Sequence, residues 1–170
     1  MGTLKNIELF NKKFELFLAK KILVNNNNLD RAIHYSLFSG GKRFRPYLVY
    51  IMAKEFKLPI NFTMHLAGTV ELLHNYSLVH DDLPAMDNDK YRRGKKTTHY
   101  KFNEYTAILA GNALLTKAFE LLVSKSFKIK NDIRSNLIKE LAFISGEEGL
   151  LKGQFQDLSL KKYNMKKRLE

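Results

Sequence analysis

The stretch of sequence that decides the fold runs from Glu71 to Lys96 and reads ELLHNYSLVHDDLPAMDNDKYRRGKK. Its first part is apolar with helical spacing, and it leads directly into an acidic cluster. Four aspartates fall within nine residues: Asp81, Asp82, Asp87 and Asp89. Five cations follow within the next seven residues: Lys90, Arg92, Arg93, Lys95 and Lys96. This order predicts a helix that ends at a cluster of oxygen ligands, with anion-binding groups just beyond it.

The spacing of the polar residues in the lead-in places them on one face of the helix. That face carries Glu71, His74, Ser77, Leu78 and Asp81. Because Pro84 lacks an N–H and crowds the preceding turn, the helix should end near Leu83. Asp81 and Asp82 then lie in the last turn, where the helix dipole disfavours carboxylates. A bound cation would relieve this cost.

Hard divalent ions such as Mg²⁺ take oxygen ligands, usually one or two carboxylates together with water and substrate phosphates. The guanidinium groups of Arg92 and Arg93 match the geometry of phosphate oxygens. The competing interpretation is a solvated loop, because acidic runs beside basic runs usually lie on the surface. A second basic motif upstream, GGKRFRP from Gly40 to Pro46, favours the functional interpretation.

In that upstream motif, Gly40 and Gly41 are typical of a left-handed helix cap. Three cations follow the cap: Lys42, Arg43 and Arg45. Pro46 suits the first turn of the next helix. A turn that delivers cations to a helix start indicates an anion site, since free backbone N–H groups point there too. A basic turn between two helices remains the alternative.

Four motifs together resemble a known family. HDDLPAMDNDKYRRGKKTTH resembles the first aspartate-rich motif of the trans-isoprenyl diphosphate synthases (polyprenyl synthetases), and GGKRFRP resembles their upstream basic motif. ELLHNYSLVHDD resembles the family's helix into the metal site, and GQFQDL, Gly153 to Leu158, resembles a later motif. Four residues separate the aspartate pair from Asp87, as in the bacterial-type farnesyl diphosphate synthases, which the chain resembles most.

The resemblance implies a role for each matching position. The catalytic set would be Asp81, Asp82, Asp87 and Arg92, in which the three aspartates hold Mg²⁺. Isopentenyl diphosphate would be bound by Lys42, Arg45, His74 and Arg93. The allylic diphosphate would be bound by Arg92, Gln154 and Asp157. Product length would be tuned by Tyr76 and Ser77, and the bulky Tyr76 ring points to a C15 product.

The implied enzyme is a short-chain prenyltransferase that joins isopentenyl diphosphate head-to-tail to dimethylallyl or geranyl diphosphate and yields farnesyl diphosphate. A terpene cyclase would share the acidic helix end but not the GGKRFRP motif. The resemblance covers this chain but only somewhat more than half of a family member, because the second aspartate-rich motif does not occur before Glu170. The alternative is therefore a non-catalytic fragment or subunit that binds Mg-diphosphate and needs a partner chain for activity. We expect the chain alone to condense substrates poorly, and family members usually form homodimers.

The composition indicates one globular domain over residues 1–170, with 45% hydrophobic and 27% charged residues and no cysteine. The longest apolar run, Tyr47 to Ala53, is too short to span a bilayer, so the expected location is cytoplasmic. The net charge of +12 suits anionic ligands. A nucleic-acid role would rest on charge alone, and the basic tail, Lys161 to Arg168, is interpreted as an exposed helix-to-loop run, so we expect no nucleic-acid partner.

The hydrophobic pattern predicts an all-α protein, an antiparallel helical bundle of the isoprenoid synthase type that is incomplete on its C-terminal side. Predicted helices cover Leu4–Val24, Leu29–Ser39, Tyr47–Lys57, Phe62–Leu83, 104–124 after an N-cap at Asn103, and Asp132–Ser145. The last of these should bury Ile133, Leu137, Leu141 and Ile144. Thr97–Phe102 is predicted to be a polar turn, and no stretch has the pattern of a strand.

Overall fold

The computed structural model describes residues 2–22, 25 and 27–167, and describes side chains within 6–160 of those ranges. The chain folds as two compact units, Met1–Lys128 and Ile129–Glu170. The all-α prediction is confirmed. The prediction of one domain over the whole chain stays a prediction.

The first unit contains six helices and a short hairpin within the described residues. The helices are α1 (Gly2–Lys21), α2 (Asn28–Phe38), α3 (Phe44–Glu55), α4 (Ile60–Asp81), α5 (Thr98–Lys101) and α6 (Glu104–Val123). Between α4 and α5, strands β1 (Tyr91–Arg92) and β2 (Lys95–Lys96) form an antiparallel pair. The predicted helices agree with these within a few residues, and the predicted end of the first helix at Val24 lies outside the described residues.

Helix α4 is the centre of the first unit, and it packs against α6, α3, α1 and α2. Its contact with α6 is close because α6 has small residues on its inner face, including Ala107, Ala110 and Gly111. A Cβ atom at Gly111 would collide with the ring of His80. One face of α1 is apolar and carries the buried side chains of Phe10, Phe14 and Leu18. The acidic end of α4 is thus fixed on a well-packed helix.

Two local predictions for the first unit are wrong. Thr97–Phe102 contains the short helix α5 rather than only a polar turn. The sequence also gave no signal for the hairpin, whose strands have two residues each. Its turn residues Arg93 and Gly94 both have positive φ, +54° and +74°. That is the type I′ geometry, which matches the twist of a hairpin.

The second unit consists of α7 (Asn131–Ser145) and α8 (Leu150–Lys167) within the described residues. Leu141 and Ser145 are buried, but Ile133 and Ile144 are 41% and 45% exposed. The prediction that all four apolar residues of α7 face inward is therefore wrong for these two. Helix α8 continues into the basic tail as far as Lys167, while Arg168 and the side chains of the tail lie outside the described residues.

By length and composition alone, α6 is apolar enough to cross a membrane. Its buried face, which includes Leu114 and Ala118, packs against α4. Core helices of soluble proteins meet the same criterion, so the composition of α6 is weak evidence for a membrane span.

Candidate active site

The upstream basic motif forms a turn between α2 and α3. Gly40 and Gly41 have φ of +109° and +132°, which a residue with a Cβ atom rarely adopts. A Cβ atom at Gly41 would also collide with the guanidinium group of Arg93. The positive φ angles agree with the glycine cap predicted after α2. The absence of a Cβ atom at Gly41 also leaves room for the guanidinium group of Arg93.

The three cations of this turn do not have the same environment. Lys42 and Arg45 are exposed, whereas Arg43 is only 3% exposed. The guanidinium of Arg43 donates to Glu71 Oε1 at 2.6 Å and to the carbonyl of Leu37 at 2.7 Å. Of the three cations, only Lys42 and Arg45 are therefore exposed to solvent.

The hairpin delivers a further cation to the same turn. Arg93, in the positive-φ turn position, donates from Nη1 to the carbonyl of Gly40 at 2.5 Å. The hairpin is itself tied to α2, because the hydroxyl of Tyr35 donates to the carbonyl of Lys96 at 2.8 Å. Two motifs that are about fifty residues apart in sequence are thus joined by Arg93.

These elements enclose a cleft of about 420 Å³. Its lining includes all four residues predicted to bind isopentenyl diphosphate: Lys42, Arg45, His74 and Arg93. The same lining contains Arg43 and Glu71, which neutralise each other. The cleft is therefore strongly cationic, and it can surround a small polyanion from several sides.

Among the described residues that line this cleft, His74 is the one histidine. Burial, followed by the charges of Arg45 and Arg93, lowers the pKa of His74 to about 4. Nη1 of Arg45 lies 3.4 Å from Nε2 of His74. Because arginine can only donate, the imidazole is neutral and accepts at Nε2, which leaves its proton on Nδ1. His74 therefore enters the cleft as an uncharged group among cations.

The acidic cluster lies at the C-terminal end of α4, and its members differ in burial. Asp82 is 4% exposed and accepts a 2.7 Å hydrogen bond from Nε of Arg92. Nη2 of the same arginine lies 3.5 Å from Asp89. Burial raises the pKa of Asp82, while the hydrogen bond and charge of Arg92 oppose that rise. Asp82 is thus a buried carboxylate with a protein partner, and its role as a metal ligand stays a prediction.

The other two acids of the predicted metal site are brought together by the turn after α4. The backbone N–H of Asp87 donates to the carbonyl of Asp81 at 2.9 Å. Asp81 is partly buried and Asp87 is exposed. In the part of the chain that the structure describes, no three acidic or histidine side chains form a complete metal-binding group. Two carboxylates from one turn do fit Mg²⁺, which usually takes one or two protein carboxylates plus water and substrate phosphates.

Comparison with known proteins identifies the family. The polyprenyl synthetase family model matches residues 26–170. The chain belongs to the polyprenyl synthetase family. It is 46% identical over 141 residues to the farnesyl diphosphate synthase of Micrococcus luteus, which covers 83% of this chain and 48% of that protein. The chain thus spans about half the length of this curated relative.

Solved structures of the family agree with the fold. A geranyltransferase from Legionella pneumophila superposes with a TM-score of 0.87 at 38% identity, over 91% of this chain and 56% of that one. An FPP/GFPP synthase from Zymomonas mobilis gives a TM-score of 0.87 at 35% identity, over 92% of this chain and 58% of that one. The helical architecture is therefore that of a polyprenyl synthetase.

The two residues predicted to tune product length in this polyprenyl synthetase chain are buried in α4. Tyr76 is 7% exposed, and its ring meets the ring of His80 edge-on, with 4.8 Å between centroids. Burial and then the charge of Asp81 raise the pKa of Tyr76. The hydroxyl of Ser77 donates to the carbonyl of His74 at 2.8 Å. Tyr76 is thus within electrostatic reach of the acidic cluster, and its effect on product length stays a prediction.

Gln154 and Asp157 lie in the second unit of the polyprenyl synthetase chain. They are three residues apart on α8, so they share one face of that helix. Gln154 is partly buried and Asp157 is exposed. Their predicted contact with an allylic diphosphate stays a prediction.

Proposed function

We propose that this chain carries the isopentenyl diphosphate site and the first metal-binding motif of a short-chain trans-prenyltransferase. The reaction would join isopentenyl diphosphate head-to-tail to dimethylallyl or geranyl diphosphate, and farnesyl diphosphate would be the product. The observation that supports this most strongly is the cleft between the upstream turn, α4 and the hairpin, which is lined by Lys42, Arg45, His74 and Arg93. This set of cationic donors matches an anion that has several oxygen atoms.

The cleft suits a diphosphate because its donors come from three separate elements. Lys42 approaches from the turn, Arg45 from the start of α3 and Arg93 from the hairpin, and guanidinium groups can each hold two phosphate oxygens. His74 can donate from one nitrogen while it accepts from Arg45 at the other. A diphosphate held in this way leaves its prenyl group free to meet a second substrate.

The acidic end of α4 would hold the allylic diphosphate. Asp81 and Asp87 would bind Mg²⁺, with Asp82 as a further ligand or a holder through water. When bound, Mg²⁺ neutralises the charge that develops on the departing diphosphate. Arg92 retains a 32% exposed side chain despite its bond to Asp82, so its remaining N–H groups can contact that diphosphate. Gln154 and Asp157, which the resemblance also assigns to this diphosphate, lie in the second unit, and their role stays a prediction.

The carbon chain of the product would grow toward α4. There the buried ring of Tyr76 would close the tail pocket beside Ser77 and favour a C15 product. Replacing Tyr76 with Ala should then give products longer than C15 in the complete enzyme, as measured by mass spectrometry of the prenyl chains. Unchanged product length in Tyr76→Ala would contradict this assignment.

The second candidate is a subunit that binds Mg-diphosphate and needs a partner chain; the chain spans about half the length of its curated relative. The two candidates share the same cleft and differ in what completes it. A homodimer or a hetero-partner would then supply the rest of the catalytic groups.

The deciding experiment measures condensation of labelled isopentenyl diphosphate with geranyl diphosphate, with and without Mg²⁺, on protein of verified mass. We expect little or no product from the 170-residue chain, together with Mg²⁺-dependent binding of geranyl diphosphate. That binding should be lost in Asp81→Ala and retained in Glu120→Ala, which removes an exposed acid of α6. Failure of the wild-type chain to bind either diphosphate would overturn the proposal.

A further inference from the structure

Arg43 is held by three separate parts of the first unit. Its guanidinium donates to Glu71 on α4 at 2.6 Å, to the carbonyl of Leu37 on α2 at 2.7 Å, and to Glu15 on α1 at 3.4 Å. Only arginine offers five N–H donors in a rigid planar fork, which is what three acceptors in different directions require. Arg43 therefore joins α1, α2 and α4 at the start of α3.

The backbone at Arg43 is also unusual. Its φ of +50° and ψ of +36° are left-handed, and it directly precedes the first residue of α3. A non-glycine residue in this region is strained, and it persists there only when surrounding contacts determine its position. The buried guanidinium provides these contacts, so the side chain of Arg43 fixes the path of the backbone that carries Lys42 on one side and Arg45 on the other.

Glu71, the acceptor for Arg43 on α4, is itself held in place by its surroundings. It is 3% exposed, and its Oε1 also accepts from Nδ2 of Asn75 at 3.1 Å, one turn later on α4. His74 follows Glu71 by three residues on the same helix and lines the same cleft. The pair Arg43–Glu71 therefore connects the turn that carries two of the cleft's cations to the helix that carries its histidine.

We propose that Arg43 and Glu71 are positioning residues, which hold Lys42 and Arg45 at the correct distance from His74 for binding of a diphosphate. This inference rests on the proposed function, because it assigns these two residues a part in the same site. Neither residue needs to contact the ligand. Small displacements of binding groups weaken polyanion binding strongly, since each oxygen must meet its donor within about 3 Å.

Glu71→Gln separates positioning from simple electrostatics. The substitution keeps the size of the side chain and one acceptor oxygen, but it removes a negative charge from the lining of a cationic cleft. If charge alone governed binding, Glu71→Gln would bind isopentenyl diphosphate more tightly. If Glu71 is a positioning residue, Glu71→Gln should instead bind isopentenyl diphosphate more weakly. The dissociation constant should rise about tenfold, because the charge-assisted hydrogen bond to Arg43 is lost.

Two further variants complete the design. Arg43→Lys keeps the charge but cannot reach three acceptors, so it should also weaken binding about tenfold. Glu120→Gln is the matched control, since it removes the same charge from an exposed ion pair with Lys117 on α6 and should leave binding unchanged. Thermal unfolding of each variant identifies any protein that has failed to fold, and Arg43→Lys then carries the test if Glu71→Gln does not fold.

Hydrogen exchange provides a readout without any ligand. In Glu71→Gln, the backbone amide of Tyr47, which donates to the carbonyl of Arg43 at 3.1 Å, should exchange about tenfold faster or more, while the amides of α6 keep their wild-type rates. This result would support positioning even if the wild-type chain bound no diphosphate, in which case only the proposed function would fail. Unchanged exchange at Tyr47, or binding by Glu71→Gln that equals or exceeds that of the wild type, would overturn the inference.

Discussion

Helix α4 carries three histidines, and two of them, His65 and His74, have very different surroundings. His65 is fully buried, stacked 4.8 Å from the ring of Phe127 and edge-on to Phe17. Its Nδ1–H donates to the carbonyl of Asn61 at 2.7 Å, and Nε2 lies 3.1 Å from the hydroxyl of Ser126. Both ring nitrogens of His65 are therefore satisfied within the protein, as core packing requires.

His74 has the same imidazole side chain as His65, but it lies at the surface of a cleft. It is only partly buried, and the charges of Arg45 and Arg93 add to the effect of burial in lowering its pKa. Burial is the largest cause of the lowered pKa at both histidines, but only His74 also faces several arginines in a cleft. His74 therefore has a ring nitrogen left for a ligand, whereas both ring nitrogens of His65 are occupied. We call the part of α4 around His65 its core end and the part around His74 its site end.

The largest effect should come from deleting the core histidine. We expect His65→Ala to lower the free energy of unfolding by about 3 to 4 kcal/mol, because it leaves a cavity and unpaired buried polar groups. Diphosphate binding by the folded fraction should not change. His74→Ala should lower the free energy of unfolding by less than about 1 kcal/mol. Urea denaturation measures both, and equal losses would contradict the distinction between the two ends.

The next effect concerns ligand affinity. We expect Arg45→Ala to raise the dissociation constant for isopentenyl diphosphate about 10- to 100-fold, because charge-assisted hydrogen bonds contribute about 1.5–3 kcal/mol. Lys21→Ala is the matched control at the core end, where Lys21 bonds to the hydroxyl of Ser126, close to His65. Isothermal titration calorimetry should give the wild-type dissociation constant for Lys21→Ala. A similar loss in both variants would mean that net charge, and not the cleft, governs binding.

The sequence predicted which residues of α4 face the cleft better than it predicted the contacts that hold the cleft together. Spacing alone placed Glu71 and His74 on one face of α4, and both do line one cleft. The predicted N-cap Asn103 is confirmed, since its side chain accepts from the N–H of Thr106. Such features depend on local periodicity and capping, which a sequence carries directly.

The features that the sequence did not reveal depend on contacts between distant segments. Arg43 looks like its neighbours Lys42 and Arg45 in sequence, and only its distance to Glu71 separates it from them. The one available signal was Glu71 itself, because a carboxylate in an otherwise uncharged stretch of helix needs a cationic partner if it is buried. The hairpin at Arg93 was missed because strands of two residues have no alternating pattern to detect.

The smallest expected effect is the pH dependence of stability that His74 contributes. Its folded pKa of about 4 lies below the ordinary value of 6.5, so the unfolded chain binds the proton more readily. Stability from this group is therefore complete above about pH 6.5 and is lost as the pH falls toward 4. After allowance for solvent screening around a partly buried ring, the loss should be about 1 kcal/mol.

Comparing the wild type with His74→Gln in urea at pH 7 and pH 4.5 isolates this contribution, because His65 and the carboxylates titrate in both proteins. The wild type should lose about 1 kcal/mol more than the variant between these two pH values. A bound diphosphate should reduce the difference, since a neighbouring anion favours the protonated imidazole and offsets the arginines. Parallel pH profiles without ligand would mean that neither burial nor the arginines of the cleft lower the pKa of His74, and the distinction between the two ends of α4 would then rest on packing alone.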